Sequence, residues 1–445
     1  MTLASTEPQD SSPSGDSRDE RPTDHRPDSD RSPEPVGEVV REGGDAARSV
    51  DPGRRHGPTR QADLVRQEVL ATCRLCVVKV GTRCLTDASG HLELSQIASL
   101  ADQIAALRAR GVQVVLVSSG AVGAGVGELG LPKRPSDVAS LQAVAAVGQA
   151  RLMNHYNDAF GRHGLKTGQV LLTAGDLDDR TRYLNVRNTL LRLLEFGAVP
   201  IVNENDTVAV DELAARFGDN DRLAALVASL LRASVLVILS DVAGLYDGDP
   251  QSPTSRVLPL VREVDDATFD LVRDRLTGLS RGGMASKLKA ARMVTLAGEN
   301  AIVASGRETR TLLRLFDGET LGTLFIAHGK SISPRKRWIG FSAQAKGELV
   351  LDDGAIAAIA RKGRSLLATG VRRVKGTFAK GDVVLMVDGA ERQIARGLSN
   401  YSSDDLQRIR GLSSREFGDI LGHVPYEEVI HRDNLMVLDP PAGSG

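Results

Sequence analysis

The stretch that decides the fold is "VPIVNENDTVAVDELAARFGDNDRLAAL", residues 199–226. It begins as a continuous apolar run of the kind that suits a strand buried on both faces. It then brings together amide and carboxylate side chains, namely Asn203, Asn205, Asp206, Asp219, Asn220 and Asp221. Asn, Asp and Gly are ordinary turn residues, so a surface loop explains part of this composition. The same side chains could instead line a polar pocket, and the rest of the chain has to decide between the two.

Similar apolar runs recur on both sides of this stretch, with helical segments between them. The runs are "LCVVKVG", "VQVVLVSSG", "TGQVLLT", "SVLVILSD" and "NAIVASG". Between the first two, "LSQIASLADQIAALRARG" has helical periodicity and ends at Gly111, a typical stop signal. Repeated strand-helix-strand units predict a mainly parallel sheet covered by helices on both faces.

Ligands of such sheets bind at the carboxyl ends of the strands. This rule places Ser119, Asn205, Asp206 and Asp241 along one edge, because each follows an apolar run. The opening cluster is therefore interpreted as the lining of a pocket.

The composition divides the chain into four parts. Residues 1–66 are rich in Pro, Ser, Asp, Gly and Arg and are predicted to be a disordered extension. Residues 67–330 form the predicted α/β domain, and residues 331–346 form a linker that contains the basic segment "SPRKRWIG". From 347 to 440, short strand-like pieces are broken by Gly and charged residues, which predicts a small β-rich domain.

Bulk composition narrows the class of protein. Lys and Arg total 56 and Asp and Glu total 57, so the net charge of −1 gives no global field that would attract nucleic acid or an anionic membrane. Three cysteines cannot build a disulfide framework, and "CRLC" lacks the further ligands that zinc requires. No apolar run approaches the ~18 residues of a membrane span, and the N-terminus does not resemble a signal peptide. We therefore predict a cytoplasmic protein.

Several familiar motifs are absent or misplaced. A literal G-x-G-x-x-G occurs at Gly125 to Gly130, but Pro132 and Pro135 follow at once, where a dinucleotide fingerprint needs a helix. The sequence has no G-x-x-x-x-G-K-[ST], no G-x-S-x-G and no His-rich metal constellation. Metal ligands are therefore not assigned.

Glycine and charge concentrate instead at strand ends and helix starts. "KVG" puts Lys79 inside a strand, where burial is costly unless an anion is close. "SRGGMASKLKAARMV" puts Lys287 in the first turn of a helix, where free N–H groups and the helix dipole favour anions. Two loops of small residues follow other strands: "SSGAVGAG" and "LSDVAGLY". Each of these could equally be a plain loop. The helix that carries Lys287 could also be a capped surface helix without a ligand. Taken together, the clusters suit phosphoryl transfer, which depends on positioning and on neutralising charge.

At this point the sequence resembles the amino acid kinase family, in particular its bacterial two-domain members that phosphorylate glutamate. The resemblance covers roughly Arg74 to "IHRDNLMV" and rests on these blocks in the family's order: "VVKVGT", "VSSGA", "GQVLLT", "VPIVNENDTVA", "FGDNDRL", "LSDVAGLY", "GGMASKL" and "RKRWIG". It implies a three-layer αβα kinase domain followed by a PUA domain. It also implies ATP, Mg²⁺ and L-glutamate as reactants and glutamyl 5-phosphate, a precursor of proline, as product.

The resemblance implies a role for each matching residue. Lys79 and Lys287 would flank the transferred phosphoryl group, and Asp221 would orient both lysines. Glutamate would be held by Ser119, Gly120, Asp206 and Asn220, with Asp206 paired to its ammonium and Asn220 donating to a carboxylate oxygen. ATP would contact Lys79, Ser240, Asp241, Arg281, Gly282, Gly283, Met284, Ala285, Ser286 and Lys287. Arg281 departs from the small residue common in the family. The family also suggests a homo-oligomer and feedback inhibition by L-proline.

Two alternatives stay open. The first keeps the fold and changes the acceptor to aspartate, acetylglutamate, carbamate or UMP. The second is an RNA-binding or RNA-modifying protein, because PUA domains occur in such proteins and the C-terminal part contains a basic stretch of Arg361, Lys362, Arg364, Arg372, Arg373 and Lys375. Only 3% of residues are aromatic, and acidic residues interleave, so we predict that RNA binding is not the main function.

Overall fold

The computed structural model describes residues 59–87, 90–209, 220–273, 283–327, 332–422 and 426–438. Its first part is an α/β domain. The helices of this part are α1 (Thr59–Ala71), α2 (Thr82–Leu85), α3 (Leu94–Ala109), α4 (Ala121–Glu128), α5 (Val138–Gly161), α6 (Ala174–Asp178), α7 (Arg180–Glu195), α8 (Asn220–Leu231), α9 (Asp266–Arg273), α10 (Gly283–Ala297) and α11 (Thr311–Phe316).

The strands of the α/β domain form one 8-stranded sheet with the order β3-β4-β2-β1-β5-β7-β8-β6. Their bounds are β1 (Leu75–Val80), β2 (Gln113–Ser118), β3 (Thr167–Leu172), β4 (Val199–Glu204), β5 (Val235–Ser240), β6 (Leu260–Val261), β7 (Asn300–Ser305) and β8 (Thr323–Phe325). Each strand predicted from an apolar run is present. The short strands β6 and β8 were not predicted, because runs of two or three residues carry no periodicity.

The sheet is mainly parallel. Strand β1 pairs in parallel with β2 and β5, β4 pairs in parallel with β2 and β3, and β7 pairs in parallel with β5. Only β8 runs antiparallel to its neighbour β7 among these described pairs. The carboxyl ends of β1, β2, β4 and β5 therefore lie on one edge of the sheet, as the sequence predicted.

Alternate residues of the strands fill two separate apolar cores. Val77 and Leu236 belong to the core that α7, α8 and α10 cover, whereas Cys76 and Val237 belong to the core beneath α1, α3, α5 and α11. This arrangement is the predicted three-layer αβα architecture. The glycines of the literal G-x-G-x-x-G serve packing: a Cβ on Gly125 in α4 would lie 1.9 Å from the backbone oxygen of Val144 in α5.

Helix α1 corrects the predicted extent of the N-terminal extension, since it begins at Thr59, inside the segment assigned to disorder. Arg66 is fully buried and donates hydrogen bonds to the backbone oxygens of Leu321 (2.6 Å), Pro259 (3.0 Å) and Gly322 (3.3 Å). Burial lowers the pKa of Arg66 to about 10, although Asp63 acts against this. The helix is amphipathic and packs on the core of the α/β domain, which the Pro- and Ser-rich composition upstream concealed.

The second part of the chain is a small β-rich domain with a 5-stranded sheet of order β10-β9-β11-β12-β13. The strands are β9 (Gly347–Leu351), β10 (Val371–Gly376), β11 (Val383–Val387), β12 (Gln393–Leu398) and β13 (Leu435–Val437). The helices that accompany them are α13 (Asp353–Ala360), α14 (Ser403–Ile409) and α15 (Phe417–Leu421), with short 3-10 helices at Ala368–Gly370, Ser414–Glu416 and Arg432–Asn434. The predicted β-rich C-terminal domain is therefore confirmed.

The segment between the domains is helical and packed. It contains α12 (Pro334–Arg337) and a π-helix (Trp338–Ser342). Arg337 is buried and pairs with Glu299, and burial raises the pKa of Glu299 to about 7 against the opposing effect of Arg337. Trp338 donates from Nε1 to the backbone oxygen of Asp178 (3.1 Å), and Arg396 of β12 donates to the backbone oxygen of Gly340 (3.0 Å). The basic segment predicted to be a linker is thus held by an ion pair and by hydrogen bonds to both flanking domains.

Acidic side chains partly neutralise the basic stretch of the C-terminal domain. Lys375 lies 2.7 Å from Glu348 and 2.8 Å from Glu391, and Arg372 lies 3.7 Å from Asp352.

Among the described helices, none is long and apolar enough to cross a membrane.

Candidate active site

The polar side chains singled out in the sequence gather at the carboxyl edge of the parallel sheet. Lys79 comes from the end of β1, Ser119 follows β2, and Ser240 ends β5. Helix α8 begins at this edge, so Asn220 and Asp221 stand in its first turn. Three adjacent strands and the start of α8 therefore meet here, and β4 and α10 supply further residues of the site.

Asp221 lies between the two lysines. Its Oδ1 is 2.7 Å from Lys79 Nζ, and its Oδ2 is 3.1 Å from Lys287 Nζ. Ser286 donates its hydroxyl to Oδ2 at 3.0 Å, and Lys287 also donates to the backbone oxygen of Gly283 at 3.1 Å. One carboxylate thus brings together two ammonium groups that come from two different elements, β1 and α10.

This ionic cluster is almost dry. The side chains of Lys79, Lys287 and Asp221 are 8%, 10% and 4% exposed. Burial alone would raise the pKa of Asp221, but Lys79 and Lys287 outweigh it and hold the pKa below its usual value. The carboxylate is therefore ionised at neutral pH and fixes two positive charges in a site of low polarity.

A chain of amide side chains lies beside the ionic cluster. Asn203 of β4 donates from Nδ2 to Gln149 Oε1 of α5 at 2.8 Å, and its Oδ1 accepts from the backbone N–H of Glu204 at 2.9 Å. Asn220 Nδ2 points at three acceptors: Asn203 Oδ1 (2.9 Å), the backbone oxygen of Ser118 (3.1 Å) and Ser119 Oγ (3.0 Å). The chain therefore joins α5, β4, α8 and the loop after β2.

These contacts engage the amide nitrogen of Asn220, the group that the sequence analysis assigned as a hydrogen-bond donor to a carboxylate. An amide nitrogen has two hydrogens, and here they face acceptors of the protein itself. The remaining atom, Asn220 Oδ1, is buried and has no hydrogen-bond partner among the described residues. The side chain presents an acceptor, not a donor.

A buried tyrosine supports the loop after β2. Ser118 Oγ donates to the backbone oxygen of Ser119 at 2.9 Å and lies 2.8 Å from the hydroxyl of Tyr156. Because the single hydrogen of Ser118 is engaged with Ser119, Tyr156 is the donor in the second bond. Burial raises the pKa of Tyr156, so this donor stays protonated. Gly120 follows in the left-handed conformation (φ 110°), which favours glycine, and caps α4.

The carboxyl end of β5 presents a second carboxylate. Asp241 accepts from Ser240 Oγ at 3.0 Å and pairs with Arg83 of α2 at 2.8 Å. Burial acts to raise the pKa of Asp241, and the hydrogen bonds from Arg83 and Ser240 outweigh it and lower the pKa. Arg83 remains 78% exposed, so this pair stands at the solvent side of the edge.

Asp206 is partly buried in the turn after β4. Burial raises its pKa to about 6, against a smaller opposing effect of Arg134. Arg134 offsets this burial less than Lys79 and Lys287 offset the burial of Asp221, so Asp206 is suited to a cationic ligand group. The pKa of Asp206 is thus shifted in the direction opposite to that of Asp221, whose charge is neutralised by two lysines of the protein.

The remaining predicted residues lie at the start of α10. Gly283 is the first residue of this helix, Met284 packs against the apolar core, and Ala285 completes the turn before Ser286. Arg281 and Gly282 lie outside the described residues. Within the described residues, no group of three or more His, Cys, Asp or Glu side chains could hold a metal ion.

Comparison with known proteins finds two family profiles that match this chain. The profile of the amino acid kinase family matches residues 74–305, which contain the whole of the ionic cluster. The chain belongs to the amino acid kinase family. A second profile, that of the PUA domain, matches residues 347–421, the β-rich C-terminal part.

Three similar bacterial relatives share the name glutamate 5-kinase. The protein of Rhodopirellula baltica is 48% identical over 377 residues, 85% of this chain and 97% of that protein. The protein of Chromohalobacter salexigens is 48% identical over 373 residues, 84% of this chain and 98% of that protein. The protein of Syntrophus aciditrophicus is 45% identical over 374 residues, 84% of this chain and 96% of that protein. This amino acid kinase therefore matches them across both domains.

Sequence reasoning gave no role to four residues at this edge: Gln149, Asn203, Tyr156 and Arg83. Gln149 had a usable signal, since it is an uncharged polar residue in the otherwise small and apolar segment "AVAAVGQA". Asn203 was noticed as part of the polar cluster but received no role. Arg83 and Tyr156 had no local signal, because their partners are more than 35 residues away in the chain.

Proposed function

We propose that this protein is a glutamate 5-kinase, which transfers the γ-phosphoryl group of ATP to the γ-carboxylate of L-glutamate and forms L-glutamyl 5-phosphate, the first step of proline biosynthesis. The observation that carries the proposal is the pair of buried lysines on one carboxylate. The names of relatives that match over both domains support the choice of acceptor.

The ionic cluster suits the charge problem of this reaction. An incoming carboxylate and the phosphates of ATP repel each other, and preorganised cations in a dry site stabilise the charge that develops between them. We assign Lys79 and Lys287 to the two sides of the transferred phosphoryl group. Asp221 keeps both ammonium groups in place before substrates arrive. Mg²⁺, when bound with the nucleotide, supplies further neutralisation of the phosphates.

No general base is needed. The γ-carboxylate of glutamate is ionised at neutral pH, so it is a nucleophile without the loss of a proton. This agrees with the contacts of Asp221, which is engaged by both ammonium groups and is therefore not placed to take a proton. Catalysis then depends on orientation and electrostatics.

The two substrates occupy different parts of the edge in this proposal. Glutamate binds at Ser119, Gly120, Asp206 and Asn220, with its ammonium near Asp206. The nucleotide binds at Ser240 and Asp241, at the carboxyl end of β5, and at the residues from Arg281 to Lys287. L-Proline, which shares the α-carboxylate and the amino nitrogen of glutamate, inhibits at an overlapping site, and the active form is a homo-oligomer.

The experiment is a coupled assay of ADP release with purified protein, ATP and Mg²⁺. L-Glutamate, L-aspartate, N-acetyl-L-glutamate, carbamate and UMP are offered one at a time, and the glutamate reaction is repeated with L-proline. Among the five acceptors, we expect ADP release only with L-glutamate. We expect L-proline to inhibit this reaction. Faster turnover with another acceptor would replace glutamate as the substrate and leave the kinase assignment intact.

A further inference from the structure

The amide chain of Gln149, Asn203 and Asn220 has a fixed direction. At one end, the backbone N–H of Glu204 can only donate, so the atom of Asn203 that it meets must be the oxygen. At the other end, the backbone oxygen of Ser118 can only accept, so the atom of Asn220 that it meets must be the nitrogen. These two backbone groups are not subject to the ambiguity of amide orientation.

Turning any one of the amides would break this pattern. If Asn220 were turned, its oxygen would face both the Ser118 carbonyl and Asn203 Oδ1. If Gln149 were turned, its nitrogen would face Asn203 Nδ2, which is a donor. Each amide therefore holds the next in one orientation, and the backbone fixes the set.

The amide chain ends on a hydrogen-bond acceptor to which no described residue donates. Asn220 is 6% exposed, and its Oδ1 is buried without a hydrogen-bond partner among the described residues. Such an atom is costly unless a ligand or water donates to it. It belongs to the first turn of α8, next to Asp221, at the edge where the substrates are proposed to meet.

We propose that Gln149 and Asn203 are positioning residues that hold the Asn220 amide oxygen toward the substrate, so that Asn220 accepts a hydrogen bond from the ammonium group of glutamate. Glutamate has donors only on this ammonium, because both of its carboxylates are acceptors when ionised. Asn220 and Asp206 then form a pair of acceptors for one ammonium group. The inference rests on the proposed function, because it takes glutamate as the acceptor substrate.

Glutarate is the probe that separates an ammonium contact from a carboxylate contact, since it is glutamate without the amino group. Dissociation constants of L-glutamate and glutarate are measured by calorimetry for the wild type and for Gln149→Met, which keeps the length of the side chain but removes its acceptor. We expect Gln149→Met to weaken glutamate binding roughly 3- to 10-fold, the range for one disturbed hydrogen bond, and glutarate binding less than twofold.

Three further variants keep the test decisive. Gln149→Glu retains an acceptor for Asn203 Nδ2 and should restore the preference for glutamate over glutarate. Asn203→Ser breaks the same chain at another residue and replaces Gln149→Met if that variant does not fold. Gln103→Met is the matched control, because Gln103 is a second buried helical glutamine, bonded to Ser99 and to the backbone of Leu312. It should lower the melting temperature and leave both dissociation constants unchanged.

Equal weakening of glutamate and glutarate in Gln149→Met would overturn the proposal, since the chain would then act on a carboxylate. An unchanged glutamate affinity in a folded Gln149→Met or Asn203→Ser would overturn it as well. Failure of the proposed function looks different: the wild type itself would then release no ADP with glutamate.

Discussion

Two neighbouring residues, Asn220 and Asp221, begin the same helix and face different networks. Asp221 joins two ammonium groups in an ionic cluster, whose strength depends mainly on distance and on the dry surroundings. Asn220 ends a chain of neutral amides, whose contacts depend on which atom donates and which accepts. In the proposed function, the first network acts on charge and the second orients a substrate. The two should therefore affect different kinetic parameters.

The largest effect is expected for the ionic cluster. Lys287→Ala removes one of the two cations from the phosphoryl site, and loss of one such group lowers kcat by ~10²–10³. Steady-state kinetics with both substrates varied will measure this. Lys289→Ala is the matched control, because Lys289 is an exposed lysine on the same helix. A kcat within threefold of the wild type in folded Lys287→Ala would remove Lys287 from the reaction.

The next effect concerns Asp206, which stands outside both networks. Asp206→Asn keeps the size of the side chain and removes its charge, so the pairing with the substrate ammonium is lost. A charge-assisted hydrogen bond contributes roughly 1.5–3 kcal/mol, which corresponds to a rise of about 10- to 150-fold in the KM for glutamate. The KM for ATP should stay within twofold. If only the melting temperature changes, Asp206 merely caps the turn after β4.

The pH dependence follows from the raised pKa of Asp206, about 6. Below this pH the carboxyl group is protonated and cannot pair with an ammonium, so kcat/KM for glutamate should fall about tenfold per pH unit. The stability effect has the opposite sign. Because the folded pKa lies above the ordinary value, this group adds stability as the pH falls from about 6 to about 4. Asp206→Asn should abolish the acidic limb near pH 6; a limb that persists belongs to another group.

The smallest effect is expected at the support of the loop after β2. Tyr156→Phe removes the hydroxyl that donates to Ser118 and leaves the ring in its apolar core. One neutral hydrogen bond contributes about 0.5–1.5 kcal/mol, so a modest fall in the unfolding free energy is expected, with at most a few-fold rise in the KM for glutamate. Denaturant unfolding and steady-state kinetics will measure both. A hundredfold loss of kcat would show that Tyr156 has a role in the reaction itself.

Much of the fold and the chemistry of the site was readable from the sequence. The buried strands β1, β2, β4 and β5 are continuous apolar runs, and the parallel topology brings the residues after them to one edge. Lys79 and Lys287 were predicted from the cost of burying a lysine and from a helix start. The kinase fold and the PUA domain followed from the order of the motifs.

The rest depended on contacts between distant segments. The partnership of Asn203 with Gln149 joins residues 54 positions apart, and the sequence pattern does not indicate which atom of an amide donates. For this reason the sequence could not decide whether Asn220 presents its donor or its acceptor to a substrate, and the donor role given to it stays a prediction beside the proposed acceptor role. Helix α1 was missed in part because its buried face includes Arg66, a charged residue whose partners are backbone oxygens of another segment.

The central claim is that the ionic cluster acts on phosphoryl transfer and the amide chain on glutamate binding. The most direct test compares kcat and the KM for glutamate in Lys287→Ala and Asn203→Ser under the same conditions. The account predicts that kcat falls by ~10²–10³ in Lys287→Ala with little change in this KM, and that the KM rises roughly 3- to 10-fold in Asn203→Ser with kcat nearly unchanged. If both variants changed the same parameter by similar factors, the two networks would not have separate roles and the account would be contradicted.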